Sequence, residues 1–365
     1  MRFLVVKFDD LGGVLTITPA LRALREAFPQ ATIDVLLTAR AVPVLEGSPL
    51  VDRLLPFDKF RYDTPWRAFT PGSLRAVLDL CRGLRARRYD VLLLCHHLTT
   101  RWGTLKFAAL VLASGAPRRI GLDNGRGWFL TDRVPDQGFG ACHEAEYWLA
   151  LAACAGADGR PRPLENTYSP ADAAMAARLL EPVHRPTVAI HPGSGRYSLA
   201  RRWPADRFAR LADRLVEAYR ARIVLVGGPE EQELGETVAG LMRTAPLNLV
   251  GRTTVKQLAA LLARVDLFIG NDSGVMHLAA AVGTPVVAIF GLSNHRAWGP
   301  YDGAGGKRHT VVRVDLPCSP CFYRGHRLGW REGCATRDCL DLISPEMVVA
   351  AAARYLRPFL SGSPG

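Results

Sequence analysis

The sequence has no apolar run that approaches the roughly 18 residues needed to cross a bilayer. Its opening segment, Met1 to Lys7, is a hydrophobic stretch of strand length followed by Asp9-Asp10, which is not the pattern of a signal peptide. No tandem repeat or low-complexity segment is evident. Because 48% of the residues are apolar and 22% are charged, the composition indicates a globular chain. We expect a cytoplasmic protein.

The distribution of the basic residues and the sequence of the first loop each disfavour one class of ligand. The formal charge of +12, mostly from arginine, indicates an anionic partner such as a nucleotide, a phosphorylated glycolipid or a membrane surface. Nucleic acid is disfavoured because the basic residues are scattered singly and form no basic arm. The loop Asp10-Leu11-Gly12-Gly13 follows the first strand but lacks the spaced G-x-G-x-x-G of dinucleotide-binding dehydrogenases.

Strand-like runs alternate with amphipathic helical stretches along the whole chain, a pattern typical of parallel sheets covered on both faces. The predicted strands are Phe3 to Val6, Ile33 to Leu37, Arg53 to Pro56, Val91 to Leu94, Arg119 to Gly121, Thr187 to His191, Arg222 to Val226, Leu247 to Val250, Leu267 to Ile269 and Val286 to Phe290. The predicted helices include Pro19 to Ala27, Leu74 to Arg85, a helix after Trp203 with Pro204 in its first turn, and Pro345 to Leu356. Two similar α/β units result.

A segment rich in glycine and proline, residues 156–163 and onward to Pro186, separates these units and predicts a hinge. We expect an N-terminal domain at 1–170 and a C-terminal domain at 171–343. The last helix, within 344–365, is expected to pack back across the hinge. Ligands of open α/β sheets collect beyond the carboxyl ends of the strands, so a nucleotide-sugar site is expected in the cleft.

The most informative segment runs from Val265 to Gly291. An apolar strand leads into Gly270-Asn271-Asp272-Ser273-Gly274, and a helix carrying His277 on its first turn follows. Backbone amides and the positive end of the helix dipole favour an anion at such a turn, while Asp272 and Ser273 suit sugar and phosphate hydroxyls. The pattern therefore predicts a diphosphate cradle, with an ordinary buried strand and turn as the alternative.

This segment, G-N-D-S-G-V-M-H-L, resembles the signature of the glycosyltransferase family 9 heptosyltransferases. The resemblance extends to the opening loop, the His191-Pro192-Gly193-Ser194 stretch, the Gly-Gly-Pro-Glu turn and the cysteine loop. It implies a GT-B fold, with two Rossmann-like doubly wound domains facing a central cleft. It also implies inverting, metal-independent transfer of a heptose or related sugar from an ADP-sugar to a hydroxyl of a lipopolysaccharide core or similar glycan. No catalytic cofactor is expected, and the chain contains no D-x-D metal motif.

The resemblance also implies which residues hold the donor. Ser194, Arg201, Asp272, Ser273 and Gly274 are expected at the diphosphate and sugar. Arg201 stands where the family has a lysine before a Trp-Pro pair, which preserves the charge but changes its hydrogen-bonding geometry. A solvated arginine at a helix start is the alternative interpretation of Arg201.

Three further residues match family positions around the nucleoside and the sugar. Glu231 is expected at the ribose. The alternative is that the carboxylates here stabilise the start of a helix, an interpretation that suits Glu230. Thr253 is expected at the adenine, and the sequence does not separate this role from a helix cap. His277 matches the family histidine, with a packed, hydrogen-bonded side chain as the alternative.

The catalytic base is the position where the resemblance fails, because Gly13 stands where the family has its aspartate. Asp10 is the first substitute and Asp9 the second, if the glycine-rich loop brings either to the cleft. Each also suits a role as a loop or capping carboxylate. Loss of catalysis with retained sugar binding, or a different acceptor such as a protein or small molecule, explains the substitution equally well.

Four cysteines near the C-terminus, Cys318, Cys321, Cys334 and Cys339, follow the spacing C-x2-C-x12-C-x4-C. Four thiolates at such spacing suit a structural Zn or Fe that fixes the loop 318–339. An acceptor-facing or subunit-facing finger is the alternative. The expected partners are an ADP-sugar donor and an anionic glycolipid or glycan acceptor, with peripheral association at the inner membrane and no nucleic acid.

Overall fold

The computed structural model describes residues 1–62, 66, 70–303 and 308–360. The chain forms two compact units, Met1–Pro161 and Arg162–Gly365. The division falls within the segment that the sequence predicts as a hinge. Residues 361–365 of the predicted C-terminal segment lie outside the described residues.

The first unit is an α/β sandwich built on a six-stranded parallel sheet. Its strands are β1 (Arg2–Lys7), β2 (Thr32–Leu37), β3 (Arg53–Pro56), β4 (Val91–Leu94), β5 (Arg118–Asp123) and β6 (Asp132–Pro135). Its described helices are α1 (Leu11–Leu15), α2 (Thr18–Ala27), α3 (Val42–Leu45), α4 (Pro71–Ala86), α5 (Arg101–Ala113) and α6 (Glu144–Cys154).

The order of the first sheet is β3-β2-β1-β4-β5-β6, with β1 and β4 at its centre. Both central strands are buried on both faces, as their continuous aliphatic runs require. The connections β3 to β4 and β4 to β5 run towards the same edge, so right-handed crossovers place α4 and α5 on one face. These two helices pack against each other, and α2 packs with α6.

The second unit repeats this plan with strands β7 (Thr187–His191), β8 (Arg222–Leu225), β9 (Leu247–Asn248), β10 (Leu267–Asn271), β11 (Val286–Ile289) and β12 (His309–Val312). An antiparallel hairpin of β13 (Phe322–Arg324) and β14 (Arg327–Gly329) follows. The described helices are α7 (Pro170–Leu179), α8 (Ala205–Tyr219), α9 (Gln232–Leu241), α10 (Val255–Leu262), α11 (Gly274–Ala281), α12 (His295–Trp298), α13 (Asp338–Asp341) and α14 (Pro345–Leu356).

The second sheet has the order β12-β11-β10-β7-β8-β9, so β7 and β10 are its central strands. Helix α8 buries Phe208, Leu211 and Leu215 in the core beside this sheet, while its opposite face is charged. Helix α14 packs against α8 and against β10, β11 and β12. Its predicted crossing of the hinge stays a prediction.

The structure differs from the sequence prediction mainly in short elements. Strand β6 was not predicted because Val134 is its single aliphatic residue, whereas β3, of equal length, has two leucines. Strand β12 and the β13–β14 hairpin were also not predicted. Pro204 immediately precedes α8 instead of occupying its first turn. Within the described residues, no helix is both long enough and apolar enough to cross a membrane.

Candidate active site

The carboxyl ends of β7 and β10 meet at the centre of the second sheet, where Gly270 pairs with His191. Asn271 is fully buried there and ties the loops together. Its side-chain amide donates to the carbonyls of Pro192 (2.8 Å) and Gly193 (3.0 Å), and its oxygen accepts from the Trp203 amide (3.0 Å). One asparagine therefore fixes the loop after β7 and the approach to α8.

The predicted turn after β10 has the expected form. Ser273 caps α11, because its hydroxyl accepts a hydrogen bond from the Met276 amide at 3.3 Å. Gly274 is the first residue of that helix. Asp272 is nearly buried and forms an ion pair with Arg201, with 3.2 Å between Oδ2 and the guanidinium nitrogen. The arginine is therefore held at the turn and is not a solvated side chain.

The buried Nε of Arg201 has no hydrogen-bond partner within the protein. The Nη2 of the same side chain donates to the Ser194 carbonyl at 2.9 Å. The Ser194 hydroxyl points inward and donates to the Ser198 carbonyl at 2.9 Å. A direct contact between the Ser194 hydroxyl and a donor stays a prediction.

Glu231 is buried and its carboxylate is fully engaged within the protein. One oxygen accepts from the amides of Ser194 and Gly195, each at 3.0 Å, and the other accepts from the Gly228 amide at 3.1 Å. A side chain at Gly193 would collide with this carboxylate. Burial by itself raises the pKa of Glu231, but these hydrogen bonds and His191 lower it to about 2. Glu231 therefore braces two loops, and its predicted ribose contact stays a prediction.

His191 is a site residue that the sequence analysis did not single out. Its Nε2 lies 2.8 Å from Glu231 Oε2 and its Nδ1 lies 3.0 Å from Ser273 Oγ. The imidazole thus connects the braced loops to the cap of α11. The sequence carried two signals for it: a histidine ends an otherwise apolar strand, and it begins the His191-Pro192-Gly193-Ser194 stretch that resembles the family.

Two residues that the sequence predicts to contact the ligand, His277 and Thr253, each have a buried polar atom without a hydrogen-bond partner. His277 Nδ1 is unpartnered, and burial together with the Arg201 charge lowers the pKa of His277 to about 3. Thr253 Oγ1 is also buried and unpartnered. The cap of α10 is formed by Thr254 instead, whose hydroxyl accepts from the Gln257 amide at 3.3 Å. Thr253 is therefore not a helix cap, and both side chains keep hydrogen-bonding capacity for a ligand.

The two predicted bases in the opening loop, Asp9 and Asp10, have different environments. Asp10 is exposed and stands before α1, without a side-chain hydrogen bond that caps this helix. Asp9 is one-third exposed, and its Oδ2 lies 2.9 Å from the buried ammonium of Lys7. A Cβ placed on Gly13 would lie only 2.8 Å from Asp9 Oδ2. The Asp9 carboxylate therefore occupies the space into which a side chain at position 13 would extend.

A network of buried charges supports this loop, and the sequence analysis missed it. Lys7 is nearly inaccessible, and its Nζ lies 4.0 Å from the centre of the Trp148 ring. Burial by itself raises the pKa of Asp9, but the charges of Lys7, His96 and Lys59 hold it well below its usual range. Asp9 is consequently ionised at any physiological pH.

His97 forms the other part of this network. Its Nδ1 lies 3.0 Å from Asp136 Oδ1 and its Nε2 lies 3.2 Å from Glu144 Oε1. Burial by itself lowers the pKa of His97, but the two carboxylates raise it to about 9. The imidazolium thus joins the loops after β4 and β6 to the start of α6.

The four C-terminal cysteines lie near one another but do not form a compact cluster. Cys318 and Cys334 are exposed, Cys321 is half-buried and Cys339 is buried. Burial, together with the charges of the three neighbouring cysteines, raises the pKa of Cys339 to about 11. Among the described residues, no three histidine, cysteine or acidic side chains are arranged to hold a metal ion.

Comparison with known proteins identifies the family. Residues 77–330 match the sequence model of glycosyltransferase family 9 (heptosyltransferase). Lipopolysaccharide heptosyltransferase 3 of Escherichia coli is 29% identical over 301 residues, which cover 80% of this chain and 83% of the relative.

Two solved structures share the fold. A family 9 glycosyltransferase from Veillonella parvula has a TM-score of 0.78 at 24% identity, covering 98% of this chain and 97% of the other. The E. coli ADP-heptose lipopolysaccharide heptosyltransferase II has a TM-score of 0.72 at 24% identity, covering 98% and 99%. The fold is therefore GT-B, and the chain belongs to glycosyltransferase family 9 and is a glycosyltransferase.

Proposed function

We propose that this enzyme transfers a heptose or related sugar from an ADP-linked donor to a hydroxyl of a lipopolysaccharide core or similar glycan. The observation that carries the proposal is the set of buried, unpartnered polar atoms near the end of the second sheet: Arg201 Nε, Thr253 Oγ1 and His277 Nδ1. Buried polar atoms normally have hydrogen-bond partners, so these three atoms are candidates for contacts with a polar ligand. The names of the relatives support the choice of sugar, nucleotide and acceptor.

The donor diphosphate is neutralised by the protein itself in this proposal. The Arg201 guanidinium and the amides at the start of α11 stabilise the negative charge that develops as the bond between the sugar and the phosphate breaks. This arrangement supports a metal-independent reaction, consistent with the lack of a D-x-D motif in the sequence. The acceptor oxygen attacks the anomeric carbon from the opposite side, and the configuration inverts.

We propose that Asp9, rather than Asp10, takes the proton of the acceptor hydroxyl. Asp9 is the carboxylate that lies beside Gly13, where the resembled family has its base. Its low pKa makes it a weak base. The hydroxyl becomes strongly acidic as its oxygen bonds to the anomeric carbon, so a weak, ionised carboxylate suffices late in the reaction. Lys7 keeps it charged and fixed in position.

Three variants test this assignment. Asp9→Asn is expected to lower turnover by about 100-fold or more while leaving the affinity for ADP within about two-fold. The matched control, Asp10→Asn, is expected to retain most activity. The double variant Asp9→Gly with Gly13→Asp moves the carboxylate to the family position and removes the Asp9 Cβ, which would lie 2.4 Å from a Cβ on residue 13, so it is expected to recover part of the activity. Loss of activity in Asp10→Asn, with Asp9→Asn unaffected, would reverse the assignment.

A second candidate function follows from Gly13 itself. A family member that binds a nucleotide sugar without transferring it, or that uses a protein or small-molecule acceptor, also accounts for the missing aspartate. Calorimetry with ADP, followed by turnover assays with a panel of ADP- and GDP-sugars, separates these functions. Tight ADP binding without turnover on any glycan acceptor favours the second candidate, whereas absence of all nucleotide binding contradicts both.

We further propose a structural Zn or Fe at Cys318, Cys321, Cys334 and Cys339. The spacing of the four thiols supports this site. A metal would have to draw in the exposed pair, Cys318 and Cys334. Elemental analysis of the purified protein tests the site. We expect Cys321→Ser to lose the bound metal and Cys81→Ser, outside the loop, to retain it.

A further inference from the structure

Helices α4 and α5 expose a row of leucines on the surface of the first unit. Leu74 and Leu78 lie one turn apart on α4 and are 46% and 53% exposed. Leu105 and Leu112 lie two turns apart on α5 and are 54% and 46% exposed. Because the two helices pack side by side on one face of the sheet, the leucines form a shared apolar surface.

Basic residues accompany these leucines. Arg75 and Arg82 have side chains that are 86% and 76% exposed, and Asp79 beside them is the only acidic residue in either helix sequence. We call the exposed set Leu74, Arg75, Leu78, Arg82, Leu105 and Leu112 the leucine-arginine face. Both arginines form ion pairs with Asp79, whose side chain is 59% exposed, so the two arginines and this carboxylate together leave one net positive charge.

Helix α8 shows how an ordinary solvated helix of this protein is arranged. Its exposed charges form ion pairs, Arg210 with Asp206 and Arg214 with Glu217. The structure describes all of α8, and no large apolar side chain on it is exposed. The leucine-arginine face therefore differs from α8 in its exposed leucines and in its charge balance. Arg75 and Arg82 share one carboxylate, Asp79, whereas α8 has as many acidic as basic residues.

We propose that the leucine-arginine face docks on an anionic lipid bilayer. Its leucines enter the boundary between headgroups and acyl chains, and its arginines contact lipid phosphates. A second copy of the chain is the less suitable occupant, because pairing two such faces would bring arginines of like charge together. The proposal rests on the proposed function only in that a glycolipid acceptor is presented at a membrane.

Vesicle sedimentation of the full chain tests the proposal. We expect binding to phosphatidylcholine vesicles that contain about one-third phosphatidylglycerol, much weaker binding to pure phosphatidylcholine, and release by salt as charges are screened. The double variant Leu78→Glu with Leu112→Glu is expected to lose at least about ten-fold in vesicle affinity. The control is Leu241→Glu, at a leucine that is also half-exposed but lies on α9 of the second unit, and it should bind normally.

Further measurements identify the cause of any failure. Thermal melting and ADP calorimetry of the double variant should match those of the parent, which shows that the fold and donor site are intact. Equal vesicle binding by parent and double variant, or none by the parent, overturns the proposal. Concentration-dependent dimers that the double variant abolishes, without vesicle binding, would assign the face to self-association. Failure to bind ADP would instead count against the proposed function alone.

Discussion

The two units have the same strand order but different chemistry at the ends of their strands. Read from the edge, both sheets have their first strand beside the fourth, with the second and third strands on one side and the fifth and sixth on the other. In the first unit, buried ions pair with one another, as in Lys7 with Asp9. In the second unit, Arg201 pairs with Asp272 in the same way, but its Nε and the nearby His277 Nδ1 have no partner. Topology therefore fixes where a site lies, and the side chains after the strands decide what it binds.

The strongest test of this contrast removes the Arg201 guanidinium of the second unit. Arg201→Met is expected to weaken ADP binding about 100-fold, because it deletes the proposed phosphate contact and leaves Asp272 buried without its partner, a change worth about 3 kcal/mol. Calorimetry with ADP measures the loss. Arg210→Met, at an exposed ion pair on α8, is the control and should bind ADP normally. Equal losses in both variants would show that general charge, rather than this contact, attracts the nucleotide.

The buried groups His97 and Glu231 are expected to lose their contributions to stability at opposite ends of the pH scale. Binding of His97 to two carboxylates raises its pKa from 6.5 to about 9. This raised pKa stabilises the fold fully below about pH 6.5, and the stabilisation, at most about 3 kcal/mol, is lost as pH rises through 9. The Glu231 pKa is lowered from 4.5 to about 2, so its contribution is present above pH 4.5 and is lost as pH falls through 2.

Denaturant unfolding across pH checks both signs. Stability of the parent should fall between about pH 7 and 10, and His97→Asn should flatten that part of the curve. Glu231→Gln should flatten the acid side and leave the alkaline side unchanged. A curve for His97→Asn that runs parallel to the parent at every pH contradicts the assigned charge.

A matched pair of histidine variants separates a brace from a binding site. His191→Asn breaks the connection between Glu231 and Ser273, so it should cost about 1–3 kcal/mol of stability and also weaken ADP binding about ten-fold. His97→Asn should lower stability by a similar amount without changing ADP affinity, because its partners belong to the first unit. Melting and ADP calorimetry on both variants measure the two effects. Unchanged ADP affinity in His191→Asn would reduce that histidine to a purely structural role.

The smallest expected effect concerns the two adjacent threonines. Thr253→Val replaces an unpartnered hydroxyl with a methyl group, so stability should be unchanged while ADP affinity falls by about 1 kcal/mol, or five-fold. Thr254→Val removes the cap of α10 and should cost about 1 kcal/mol of stability with ADP affinity intact. Isothermal titration and thermal melting distinguish these outcomes. The reverse pattern would exchange the two roles.

Much of the fold followed from local patterns. The strands from 187 to 191 and 53 to 56 and the helix from 345 to 356 have the predicted bounds, because apolar runs and helical periodicity are properties of neighbouring residues. The family and the GT-B fold were likewise predicted from short motifs and are confirmed. Strand β6 was missed because Val134 is its single aliphatic residue, so no apolar run marks it in the sequence.

The sequence alone determined the two α/β units, the strand-turn-helix around Asp272 and Ser273, and the absence of the family aspartate at Gly13. Only the tertiary structure decided that Asp9 fills the space beside Gly13 and that His191 joins Glu231 to Ser273. It also decided that two carboxylates raise the pKa of His97. The physical reason is the range of the interactions. Hydrophobic periodicity acts over a few residues, whereas His191 and Ser273 are 82 residues apart and acquire their roles only when parallel strands bring them together.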